Sequence, residues 1–268
     1  MRRRGVAPAM LPGGAQRGKG STPMPSQPKR PPGRPLPLKD QAYEAIRHHI
    51  VTCRFAPGAR LNEAQVAEAL GLSRMPVRDA LARLRLEELV TILPRKGIEV
   101  NRADPEELLQ IIEVRTVNEC HAARLAAGRI TVAQVTALKQ VLRRTEAALA
   151  RRDTEALTLL DREFHDIIAR AAGNPIIAAL LANLHDRAAR FWFISLEREA
   201  HQPAVLQEHR AILDALAVQN PAAAAQAMGR HIAAFRRNVM RLIGPAASRP
   251  ARRARAARAS AGRAAALR

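Results

Sequence analysis

Four side chains able to hold a metal ion lie on apolar helical stripes in the second half of the chain. Asp161 and His165 are one helical turn apart, so both project to the side that carries Leu157 and Ile168. His209 continues the stripe Leu206, Leu213, Leu216, and His231 continues Met228, Phe235, Leu242. All four polar groups therefore point into one bundle interior. A buried carboxylate without a partner is costly, so the cluster calls for a compensating charge. Three imidazoles and one carboxylate from three helices suit a divalent metal ion with positions left open for water or a small ligand. Zinc or nickel fits imidazole best, and manganese or iron is compatible. Taken one at a time, each histidine reads more readily as a hydrogen-bonded core residue than as a ligand; only the four together favour a metal. A second constellation is Arg74 and Arg78, four residues apart near the start of a short helix and opposite Val77, Leu81 and Leu84. Two guanidinium groups so placed can each donate paired hydrogen bonds to guanine O6 and N7 in a major groove. Read alone, they are also an ordinary solvated face paired to acids.

The elements that must carry these residues follow from periodicity. Tyr43, Ile46, Ile50 and Val51 recur at helical spacing before Phe55-Ala56-Pro57-Gly58 imposes a turn. Asn62 can cap a second helix that Gly71 terminates, and Ser73 can cap a third with Pro76 in its first turn. Helix, short glycine-containing turn, helix is the helix-turn-helix layout. Val90 to Leu93 and Ile98 to Val100 then flank Pro94-Arg95-Lys96-Gly97, which reads as a β-hairpin with a basic tip, a wing. From Asp104 onward apolar residues recur at i, i+3 and i+4, with breaks at Gly128, Asp153, Gly173-Asn174-Pro175, Gln202-Pro203 and Asn220-Pro221. Helices are expected near 105–127, 131–151, 154–172, 175–198, 203–219 and 221–242. The expected fold is mainly α: an N-terminal winged helix-turn-helix over 39–102 and an antiparallel all-α bundle of about six helices over 103–243.

The flanks differ. The chain has 268 residues and a formal charge of +20, but residues 1–40 hold nine Lys/Arg against one acid and residues 244–268 hold seven against none. Overall charge is therefore a poor reason to infer a polyanionic partner. Residues 1–38, rich in Pro, Gly and Arg, and the Ala/Arg segment 244–268 are expected to be disordered tails. Met10 and Met24 offer later starts. Cys53 and Cys120 cannot form a disulfide framework, which fits a reducing compartment. Pro8, Pro12, Gly13 and Gly14 interrupt any signal-peptide core, and no apolar run reaches membrane-spanning length. A cytoplasmic location without membrane contact is expected.

The run Pro57 to Val100, above all Ser73-Arg74-Met75-Pro76-Val77-Arg78-Asp79-Ala80-Leu81, resembles the winged helix-turn-helix of the GntR family of bacterial transcription regulators. The resemblance implies DNA contacts from Ser73, Arg74, Met75 and Arg78, with Arg95, Lys96 and Gly97 reaching the minor groove or its phosphates. Two positions depart from the family pattern: Met75 stands for the common Thr, and Glu88 for the usual Gly after the recognition helix. Residues 104–243 resemble the FCD effector-binding domain of the FadR-like branch, through Arg115 with Glu119, Asp161-x-x-Phe164-His165, Gly173-Asn174, Glu208-His209, and Met228 with His231. In that family the Asp and three His corresponding to Asp161, His165, His209 and His231 form a metal site. By analogy Arg115 is a clamp for an effector carboxylate, although a salt bridge to Glu119 or Glu113 is an equal reading. His48, His49, His121, His185 and His201 show no comparable pattern and read as incidental.

The implied function is a homodimeric, sequence-specific regulator, a repressor before an activator, whose affinity for a double-stranded DNA operator responds to a small organic acid. Two rivals exist: a metal-free bundle that only dimerises the reader, and a helical metalloenzyme. The latter lacks the Glu-x-x-His pairs and the His-Glu-x-x-His motif that such enzymes use, so no catalytic residue is assigned.

Overall fold

Gly71 and Asn62 bracket the first helix-turn-helix element as their chemistry requires. In a computed structural model that describes residues 36–94, 97–196 and 202–243, Asn62 accepts a hydrogen bond from the Ala64 amide and Gly71 takes a left-handed conformation, φ 63°. The expected tails fall outside these residues except for 36–38, and Leu38 already opens α1 (Leu38–Val51). Then come β1 (Arg60–Leu61), α2 (Glu63–Leu70), α3 (Arg74–Leu86), β2 (Val90–Leu93) and β3 (Gly97–Val100). The expected hairpin is present, with Ile92 opposite Ile98. Periodicity did not reveal β1, whose two residues pair antiparallel with β3 and complete a three-stranded sheet ordered β1-β3-β2. Two residues are too few to show an alternation. Ile46, Ile50, Leu81, Leu84 and Leu89 form the centre of this unit's own core.

Six further helices make the second part: α4 (Pro105–Ala127), α5 (Val132–Arg151), α6 (Thr154–Ala171), α7 (Pro175–Leu196), α8 (Gln202–Ala217) and α9 (Pro221–Ile243). Their starts are fixed locally. Asp104 accepts from the Glu106 amide ahead of Pro105, and Thr131 with Gln134 forms a reciprocal capping box. Asn220 accepts from the Ala223 amide. A separate core runs through Ile112, Leu138, Phe164, Ile168 and Ile212. Among the described residues no helix is long and apolar enough to cross a membrane.

One helix joins the two parts. Asn183, Asp186, Arg187 and Arg190 recur at i, i+3, i+4 and i+7 on one face of α7, and each engages the N-terminal unit. Asn183 donates to the Glu87 carbonyl (2.9 Å), and Asp186 pairs with Arg47 of α1 (3.1 Å). Arg187 pairs with Glu88 (2.7 Å) and with Glu107 of α4 (2.7 Å). Arg190, fully buried, donates to the Asn101 carbonyl at the end of β3, and burial lowers its pKa.

Candidate functional site

The candidate DNA-reading face comes first in the chain. Val77, Ala80, Leu81 and Leu84 bury one side of α3, which turns Arg74, Met75, Arg78 and Asp79 outward. Ser73 occupies the N-cap position with extended backbone, but its side chain makes no capping bond, contrary to the cap expected from sequence. Its exposed hydroxyl sits beside the unbonded amides of the first turn, where a phosphate oxygen could be met. Arg78 pairs with Glu63 of α2 (3.2 Å), an exposed contact that a base edge could displace. Gly97 closes the wing with φ 89°, and a Cβ there would stand 3.2 Å from the Leu61 carbonyl. Arg95 and Lys96 lie outside the described residues. Glu88, in the place where the family pattern has glycine, adopts the left-handed conformation that glycine favours (φ 58°) and extends its carboxylate to Arg187.

In the bundle, α6, α8 and α9 bring Asp161, His165, His209 and His231 together with one potential ligand atom from each within 4.8 Å of all the others. The three imidazoles are buried and Asp161 is partly exposed. His165 Nε2 stands 3.2 Å from His231 Nε2, and His209 Nε2 lies 3.4 Å from Asp161 Oδ1. The outer nitrogens are held by carboxylates. His231 Nδ1 is bonded to Glu208 Oε2 (2.8 Å), and His165 Nδ1 stands 2.6 Å from Glu119 Oε2, close enough for an ion pair though not aligned as a hydrogen bond. An ionised carboxylate only accepts, so it favours the proton on each Nδ1 and leaves a neutral ring's Nε2 lone pair facing inward. Two such lone pairs cannot satisfy one another. His209 Nε2 is likewise buried and makes no hydrogen bond among the described residues. Burial, reinforced by His231 and His165, pushes the His209 pKa well below its ordinary value. Phe164 stacks on the His209 ring at 4.2 Å and 14°, fixing its orientation. The donor set is thus inward-facing nitrogens plus one carboxylate, the chemistry of a divalent cation site.

Glu119, His165 and His185 make a second cluster of potential ligands, but here a cation is already supplied. Arg115 donates from Nε to Glu119 Oε1 (2.6 Å), and its Nη2 stands 3.2 Å from His185 Nε2. Burial alone would raise the Glu119 carboxyl, yet Arg115, His165 and His185 outweigh it and hold it well below the ordinary range. Burial and the Arg115 charge push His185 down to about 3. Of the two readings open for Arg115, the salt bridge to Glu119 is the contact it makes. Its side chain also lines a small cavity with Thr158, Asp161, Arg162, His185 and His231.

Sequence reasoning missed three contributors. Glu208 was noticed only as part of a motif, His185 was set aside as incidental, and Arg162 was not singled out. His185 does carry a signal, since it follows Leu181 by four and precedes Ala188 by three on the buried stripe of α7. His48, also set aside, pairs with Glu155 (2.9 Å) across the two parts of the chain.

Comparison with known proteins agrees with this geometry. Residues 38–100 match the family described as bacterial regulatory proteins, gntR family, and residues 110–234 match the FCD domain. The HTH-type transcriptional repressor RspR of Escherichia coli (strain K12) is 30% identical over 196 residues, covering 73% of this chain and 86% of that protein. Among solved structures, E. coli McbR/YncC shares the fold with a TM-score of 0.72 at 22% identity, covering 77% of this chain and 98% of that one. A transcriptional regulator from Rhodococcus sp. RHA1 superposes with a TM-score of 0.63 at 25% identity, covering 75% and 97%. An outward arginine pair on α3, a wing, and a helical bundle with a buried histidine cluster therefore belong to a member of the GntR family, a DNA-binding transcriptional regulator carrying an FCD effector-binding domain.

Proposed function

We propose that the protein is a cytoplasmic, non-enzymatic repressor that acts as a homodimer, and that its operator affinity is set by a small carboxylate bound beside a divalent metal ion in the bundle. The observation that carries the metal reading is the set of inward-facing Nε2 atoms of His165, His209 and His231 beside Asp161, backed by Glu119 and Glu208. Those four residues would hold the ion, zinc or nickel before manganese or iron. When bound, it offers open coordination positions to carboxylate oxygens. Arg115 and Arg162 line the adjoining cavity, and a guanidinium group is matched to a carboxylate ligand by its paired donors. Ser73, Arg74, Met75 and Arg78, with Arg95, Lys96 and Gly97 at the wing, would contact DNA, and two protomers would present two such faces to a two-fold operator. RspR is named a repressor, which supports repression as the sense of control.

The test is metal analysis of purified protein beside His209→Ala. The wild type should carry about one equivalent of metal and the variant far less. Equal content in both would remove the metal site and favour a metal-free dimerisation bundle.

A further inference from the structure

Asp186 on α7 is almost fully buried and is claimed by two arginines from different parts of the molecule. Its Oδ1 receives Arg162 Nε of α6 at 2.5 Å and Arg47 Nη1 of α1 at 3.1 Å, while Oδ2 receives Arg162 Nη2 at 3.0 Å. Arg47 is also held by Glu44 (2.5 Å). Arg162 follows the candidate metal ligand Asp161 directly in sequence, lines the same cavity and keeps about a quarter of its side chain exposed (26%). Nε and Nη2 face Asp186, which leaves both N–H groups of Nη1 and the second one of Nη2 outside that pair. The two faces of α7 diverge accordingly: His185, Ala188 and Ala189 line the cavity, while Asp186 and Arg190 hold the DNA-binding unit.

We propose that Arg162 is both a binding residue for the effector's carboxylate and the point at which binding is relayed to the DNA reader, through competition between the ligand and Asp186 for one guanidinium. A carboxylate in the cavity draws Arg162 away from Asp186. Asp186 is then left to Arg47 alone, and the seating of α1 on α7 changes. The relay rests on the carboxylate-sensing reading above. Linkage makes it reciprocal: if the ligand alters how Arg47 is held, substitution at Arg47 must alter ligand affinity, although Arg47 is not among the residues lining the cavity.

The experiment titrates acetate, a carboxylate small enough for so small a cavity, into zinc-loaded full-length protein by calorimetry. Wild type is set beside Arg162→Met, Arg162→Lys, Asp186→Asn and Arg47→Met, with zinc content and thermal midpoint recorded for each. Arg162→Met should weaken acetate binding on the order of tenfold or more with zinc content unchanged, and Arg162→Lys, which keeps the charge without the planar fork, should fall between. Asp186→Asn removes the competitor and should tighten binding roughly 5- to 10-fold. Arg47→Met frees Asp186 to grip Arg162 harder and should weaken binding about threefold. General loosening of the fold would weaken binding in every variant, so the opposite sign at Asp186 is the signature. Weaker binding by Asp186→Asn, or wild-type affinity in Arg162→Met, overturns the relay while leaving the sensing reading in place. Failure of the zinc-loaded wild type to bind acetate overturns the sensing reading and the relay with it.

Discussion

Arg74 and Arg78 stand in water on the outer face of α3, whereas Arg115 and Glu119 lie at 5% and 2% exposure between four helices. Both sets are charged and both lie in the candidate sites of a regulator, yet they obey different energetics. Exposed guanidinium groups contribute little to the folded state, because their pairings are screened and replaceable by solvent. In the proposed DNA-reading role, their binding energy is released only when a base edge or phosphate arrives. The buried set is already spoken for: Glu119 answers Arg115, approaches His165 and lies 3.2 Å from His185 Nε2, and removing one member leaves the others uncompensated in a poor solvent for charge. Function and stability are thus separable in the reader and fused in the sensor.

The largest effect that could break this contrast is at Glu119. Glu119→Ala should destabilise the protein by about 3–5 kcal/mol in denaturant unfolding, because the buried Arg115 loses its counter-charge and His165 its neighbouring carboxylate. A loss below about 1 kcal/mol would mean that the buried cluster behaves like surface charge. Next, Arg74→Ala and Arg78→Ala should each cost about 1–3 kcal/mol of operator affinity in gel-shift titrations while leaving stability within about 0.5 kcal/mol. Undiminished binding to the native operator would remove α3 as the reading helix. Smallest is Glu88→Gly. Relief of the left-handed backbone and loss of the exposed Arg187 pair nearly offset one another, so the thermal midpoint should rise by an amount worth less than about 1 kcal/mol. A fall would show that the junction depends on the ion pair more than on the backbone.

How far the molecule could be read from its residues follows the same division. Helix limits were legible where a cap and a break are local events, as at Asp104-Pro105, Thr131 and Asn220-Pro221. The four histidine and aspartate positions were legible because one helical turn, or an apolar stripe, sets a side chain's direction. What escaped depends on distance in sequence. Glu119 and Glu208 become supports for His165 and His231 only once α4, α8 and α9 pack, and Asp186 meets Arg47 across 139 residues. Arg115 could not be decided between clamp and salt bridge because both outcomes suit the same buried position. Glu88 was visible as a departure from the family's pattern, but only its φ and its reach to Arg187 explain how an acid is accommodated there.

A single residue, Asn62, separates the two-residue strand β1 from α2, and the partner strand β3 is the return limb of the wing. That short ladder ties the start of α2, the helix that precedes α3, and the wing to a common frame. Regulation cannot then lengthen or shorten the stretch of duplex that a single reader covers. In the homodimer proposed above, a signal from the bundle would re-space or re-aim whole readers, so nuclease protection should keep the same half-site outline with and without ligand while its strength changes.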